Sequence, residues 1–478
     1  MSMSSMDRRE FLQAAAAGAS LLAWRRAASA ADAPGTVIPP PPDADTPPSK
    51  PATPAAKPAA APGASSAAKP PPNILFILAD DVGIGDVHAY SGLQYPMPRL
   101  DALAKGGAQF DFCYADPLGG PTRYQLLTGR YPFRTGMTSD SAGASLHPHK
   151  STTLPGLLKS AGYVTAAVGK WDPLPLQPSD FGFDEYLRFH GSGVYYGQNA
   201  ADHYTVNGQD KPLAKTDYLP DIMHDWLTDF ITRHQGQPWY VHYAMSHLAA
   251  PLQPTPDSAK GSTTLYADNL AYMDKLVGKA VDALGKLNLR QQTMVLFTGS
   301  NGSIGQPMIG QRAIFGNKGT LTEGGSRVPL LVDWPGTTPG GQTRRDLVDF
   351  TDFYTTLGAA AGATLPGNGH LDGRNYLPLL QGQAAASRLW IYVEAEGQRY
   401  VRDARYKLTS GGQLYDLENG PFVEKLIPPG TGGELVALQR LGLYRVMRAL
   451  LPKGTNIGPV PPSPTTPRTT RRRGIRGF

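Results

Sequence analysis

Apolar and polar positions alternate along this chain in a repeating strand-then-helix order from residue 73 to about residue 385. Asn73–Ala79 is an unbroken apolar run, the pattern of a strand covered on both faces. Phe110–Tyr114 alternates with the period of a strand, and Tyr163–Val168, Trp239–Ala244, Thr293–Thr298 and Pro329–Trp334 are further apolar strands. Between them lie helical patterns. Pro98–Ala104 is closed by Gly106-Gly107, and Thr153–Ala161 is capped by Thr153 and stopped by Gly162. Asp221–His234 carries Ile222, Trp226, Phe230 and Ile231 at helical spacing. Leu265–Leu287 does the same with Leu270, Met273, Val277, Val281 and Leu284. This succession predicts a mostly parallel sheet between helix layers. After residue 386 the texture shifts to short strands, Trp390–Glu394, Tyr400–Arg402, Tyr406–Leu408 and Leu414–Leu417, which predicts a small antiparallel C-terminal subdomain over 386–455.

Composition changes the picture mainly at the two ends. Asp7-Arg8-Arg9-Glu10 precedes an alanine-rich apolar run to Trp24 and a small-residue site at Ala28-Ser29-Ala30. Paired arginines ahead of a short apolar stretch describe a twin-arginine export signal over 1–30, cleaved near Ala31. Residues 31–72 are Pro, Ala and Ser almost throughout, an extended spacer unable to bury a core. A basic tail, 456–478, is expected to be disordered. Of the chain's 45 basic and 39 acidic residues, nine Arg and two acids lie in residues 1–30 and after Pro467, leaving 36 against 37. The body is therefore nearly neutral, and the formal charge of +6 argues for no nucleic-acid partner. No other segment approaches membrane-spanning length. The single cysteine, Cys113, excludes an internal disulfide framework and is expected as a buried thiol.

Candidate chemistry lies where strands end. Asp80-Asp81 directly follows the first strand. Adjacent carboxylates at a buried strand end repel unless a cation neutralises them, and hard oxygen donors suit Ca²⁺ or Mg²⁺; a solvated turn is the competing reading. Pro121 can open a helix that runs through Leu126 and Leu127 to Gly129, and the N-terminus of such a helix suits an anion.

Gly119-Gly120-Pro121-Thr122-Arg123 followed by Leu126-Leu127-Thr128-Gly129-Arg130 resembles the signature of the sulfatase family. There, Cys or Ser, any residue, Pro, Ser or Thr, and any residue or Arg precede L-x-T-G-R. In that family the first position is oxidised to formylglycine, whose hydrated aldehyde is the nucleophile. Gly119 has no β-carbon, so no formylglycine can be made at that place. The resemblance extends over about residues 73–420. It implies a sulfatase and alkaline-phosphatase-like α/β sandwich with a small antiparallel C-terminal subdomain, and a metal site at Asp80, Asp81, Ser300 and Asn301. Ser300 stands where the family has an aspartate. The resemblance also implies an anion cradle of Arg123, Lys170, His247 and Lys318, with Asp172 where the family has histidine. Glu323-Gly324-Gly325-Ser326-Arg327-Val328-Pro329 repeats a further family motif. Asp172 could restore the charge lost at Ser300 or be a surface residue before Pro173.

These departures leave three functions open. One is a hydrolase of sulfate or phosphate esters using another nucleophile, such as metal-bound water, with Thr122 the nearest hydroxyl. Another is a non-catalytic exported binding protein for an anionic sugar or sulfated polysaccharide. The third is an unrelated reaction in which Asp172 and His247 act as base and acid on a neutral substrate. The export signal is expected to place the chain in the periplasm or outside the cell, with the twin-arginine machinery as a partner.

Overall fold

The structure, a computed structural model, describes residues 70–91, 95–141, 153–174, 176–367, 371–385 and 388–461. The segments expected to be an export signal and a spacer, apart from the last residues of the latter, and the tail beyond residue 461 lie outside them.

Five parallel strands form the middle of the large sheet, in the order Thr293–Gly299, Asn73–Ala79, Trp239–Ala244, Val164–Lys170, Glu185–Phe189. Leu330–Asp333 joins one side antiparallel, and His203–Val206 with Gln209–Pro212 extends the other. Ala108–Tyr114 lies beyond Leu330–Asp333 and pairs in parallel with Gln342–Asp349.

Asn73–Ala79 is buried along its whole length because both faces of the sheet are covered. Ile74, Phe76 and Leu78 enter one core with the helices Gly119–Thr128, Leu154–Ser160 and Asp352–Ala360. Leu75, Ile77 and Ala79 enter the other with Leu219–Arg233 and Leu265–Lys286. The alternation of side chains across a strand thus splits one apolar run between two layers.

The first departure from the expected pattern is at Gly119–Thr128. The helix begins at Gly119 with Leu118 as its cap, two residues before Pro121. Proline is tolerated anywhere in a first turn, where its missing N–H has no intrahelical acceptor. The carboxylate of Asp140 accepts from the Gly120 N–H at 2.8 Å, so a side chain of this protein meets part of that helix end's demand for an anion. Gly129 closes the helix at φ 65°, the left-handed cap that glycine takes without strain.

Toward the C-terminus five strands from Ile391 to Ile427 form an antiparallel meander. The helix Gly433–Leu450, which the sequence pattern did not predict, packs Leu443, Val446 and Met447 on it. Its apolar stripe is diluted, since Leu435 remains 70% exposed. Among the described residues no helix is long and apolar enough to cross a membrane.

Candidate active site

The carboxyl ends of three parallel strands converge, the usual place for a site in an open α/β sheet. Asp80 and Asp81 leave Asn73–Ala79; Ser300 and Asn301 leave Thr293–Gly299; Lys170 ends Val164–Lys170. The Ser300 N–H donates to the Ala79 carbonyl at 2.9 Å, which ties two of these ends together. Asp81 adopts φ 60°, an uncommon conformation for a residue with a side chain, and reaches Lys318 and Asn301 from it.

Both carboxylates are paired with cations. One oxygen of Asp80 accepts from Arg123 Nη2 at 3.0 Å and from Ser300 Oγ at 3.1 Å. Its other oxygen accepts from Lys170 Nζ at 2.5 Å. Asp81 accepts from Lys318 Nζ at 2.6 Å and from Asn301 Nδ2 at 2.9 Å. The Asn301 oxygen accepts from Ser300 Oγ at 3.0 Å. Burial by itself would raise the Asp80 carboxyl, but Lys170 and Arg123 outweigh it and hold the group well below the usual carboxylate range. Burial and the neighbouring Asp80 push Asp81 upward, against Lys318 and Asn301.

Gly119 faces this cluster. A β-carbon built there would lie 2.4 Å from Arg123 Nη1 and 3.4 Å from Asn301 Oδ1. Arg123 is only 1% exposed, yet its Nε and Nη1 have no partner among the described residues. Thr122 is turned away, its hydroxyl donating to the carbonyls of Asp116 and Leu118 at 3.1 and 2.9 Å. A hydroxyl so engaged is a helix back-bond and no free nucleophile.

Two expected members lie beside the cluster rather than in it. His247 is fully buried, shares a 3.1 Å hydrogen bond with Tyr218 and packs edge-on against Tyr195. Burial lowers its pKa to about 3, so the ring is neutral. Its backbone does serve the cluster, because its carbonyl accepts from the Asp80 N–H at 2.7 Å. Asp172 does not join the carboxylates. It accepts from the Gly191 N–H at 2.6 Å and lies 3.7 Å from His190 Nδ1, so it anchors the loop after the neighbouring strand. That loop carries Ser192, whose hydroxyl accepts from Lys170 at 3.0 Å and which the sequence reading did not single out. Its only signal was Gly191-Ser192-Gly193 behind a strand.

The family model for sulfatases matches residues 72–363. Human arylsulfatase A is 31% identical over 462 residues, covering 81% of this chain and 90% of its own. This chain belongs to the sulfatase family. Human N-acetylgalactosamine-6-sulfatase is a further relative, 34% identical over 358 residues, covering 67% of this chain and 68% of its own. Among solved structures, Ps i-CgsB in complex with k-i-k-neocarrahexaose superposes with a TM-score of 0.69 at 26% identity, covering 79% of this chain and 92% of that one. The mixed, mostly parallel sheet and small antiparallel sheet are the sulfatase and alkaline-phosphatase-like architecture expected from the sequence.

Proposed function

We propose that this sulfatase-family protein is a non-hydrolytic, exported receptor for the sulfate groups of an anionic saccharide, acting in the periplasm or outside the cell. The observation that carries this reading is Gly119. It lacks the atom on which formylglycine is built, and it stands where a β-carbon would meet Arg123 within a cluster of three cations. Removing the nucleophile while keeping the cations separates recognition from turnover. The relatives supply the ligand class: one is named for a sulfated amino sugar, and a structural neighbour holds a hexaose.

The test is to express the chain with and without the formylglycine-generating enzyme, then measure aryl sulfate turnover and calorimetric binding of a sulfated oligosaccharide. The expected result is binding with no turnover in either preparation. Turnover that depends on the modifying enzyme would remove Gly119 from the nucleophile position. A second reading, hydrolysis by another hydroxyl, is favoured by Ser192 beside Lys170. It requires turnover without the modifying enzyme that disappears in Ser192→Ala.

A further inference from the structure

Sulfatase resemblance implies a divalent cation at Asp80, Asp81, Ser300 and Asn301, but the residues present do not fit one. Ca²⁺ takes six to eight oxygens, with carboxylates carrying much of the countercharge. Here two carboxylates face three cationic side chains. Both oxygens of Asp80 already accept hydrogen bonds, as does one of Asp81. Asn301 presents its amide NH₂ to Asp81, and its oxygen shares the one Ser300 hydroxyl proton with Asp80. Among the described residues, no group of three or more His, Cys, Asp or Glu side chains gathers as a ligand set.

Charge points the other way. The two aspartates and three cations sum to a formal +1. A dication would raise this to +3 in a buried place where uncompensated charge is costly, whereas the single negative charge of a sulfate monoester brings it to zero. The donors for such a group exist. Nε and Nη1 of Arg123 are buried and without partners among the described residues, and buried guanidinium donors are rarely left so unless something else completes them. A β-carbon at residue 119 would lie 2.4 Å from the same Nη1, so it is the bare glycine that lets the guanidinium occupy this place. On the open side, Lys318 is 30% exposed at its side chain and Ser192 is exposed.

We propose that this centre binds a sulfate monoester without any divalent cation, using Arg123 Nε and Nη1 beside Gly119, with Lys170 and Lys318 taking the metal's part in balancing Asp80 and Asp81. The proposal rests on the receptor reading and states how that receptor works.

Calorimetry of the full chain with methyl sulfate, in EDTA and in CaCl₂, tests it, with CaCl₂ alone as a further titration. The expected result is equal affinity in both buffers, no heat from CaCl₂ alone, and binding weakened by at least about tenfold in Gly119→Ala, whose β-carbon crowds Arg123. Circular dichroism confirms that each variant is folded, and Arg123→Lys, which keeps the charge but loses the fork, should weaken binding similarly. Affinity that rises about tenfold or more with CaCl₂, or stoichiometric CaCl₂ heat, overturns the metal-free centre and leaves the receptor reading standing. Unchanged binding in both variants removes Arg123 as the ligand and also overturns the proposal. No binding in either buffer overturns both readings.

Discussion

Arg402 and Arg123 are each 1% exposed and each paired with a buried carboxylate, yet their surroundings differ in kind. Every nitrogen of Arg402 is used. Nε donates to the Asp403 carbonyl, Nη1 to Tyr114 and Glu323, and Nη2 to the Ala404 carbonyl. Glu323, held also by Arg327, belongs to the E-G-G-x-R motif, so this network fastens the C-terminal sheet to the main body. Arg388 is similarly complete, with Asp352, Tyr131, Thr351 and the Asp372 carbonyl around it. Among the described residues, Arg123 is engaged through Nη2 alone. A buried guanidinium whose donors are all met is a fastening, whereas Arg123 keeps two donors in reserve.

The strongest way to break this contrast is to remove each arginine. Arg402→Met leaves Glu323 short of its closest partner in a buried place and should cost about 3–5 kcal/mol in urea unfolding. Arg123→Met should cost less, about 1–2 kcal/mol, because Lys170 and Ser300 still hold Asp80. It should also abolish methyl sulfate binding. Equal losses of stability would mean that Arg123 is a fastening too.

A middle-sized effect concerns acid. His242 lies against Phe76 and Phe183, and neither ring nitrogen has a partner among the described residues. Burial, helped by the charge of Arg123, lowers its pKa to about 3 from an ordinary 6.5. The unfolded chain therefore takes a proton that the folded one refuses, and stability is lost as pH falls from about 6.5 toward 3. His242→Phe should flatten that part of the acid limb and change little at pH 7.5, as read from thermal midpoints across pH. An unchanged limb would mean that the histidine is not charge-excluded.

The smallest expected effect is at Asp172. Its side chain is 32% exposed and its partners are a backbone N–H and a half-exposed histidine. Asp172→Asn should shift stability by less than about 1 kcal/mol. It should weaken methyl sulfate binding only modestly, through a looser Ser192 loop. A change of tenfold or more would place Asp172 among the binding groups.

What the sequence allowed to be read follows from the same physics. Asn73–Ala79 and Trp239–Ala244 were legible because strands buried on both faces are apolar at nearly every position, with only Asn73 and His242 as exceptions. The gathering of Asp80, Asp81, Lys170 and Asn301 was legible through motifs that end strands. The part played by Asp172 was not, because its partner is a backbone N–H from a loop behind the adjacent strand, and main-chain donors leave no mark in a sequence. Nor was the start of the signature helix. Asp140 meets Gly120 from a segment whose fold no local pattern announces.

The wide separation of the cluster's members along the chain bears on when it forms. Asp81 waits for Lys318, and Asp80 for Lys170 and Ser300. Ends so far apart are brought together only after much chain entropy has been spent, so contacts of this kind close late. In refolding, sulfate binding should lag behind the recovery of secondary structure seen by circular dichroism. A chain still on the ribosome, before residue 318 emerges, presents Asp81 without its lysine. For a protein expected to leave the cytoplasm already folded, the closing of this cluster would be among the last steps before export.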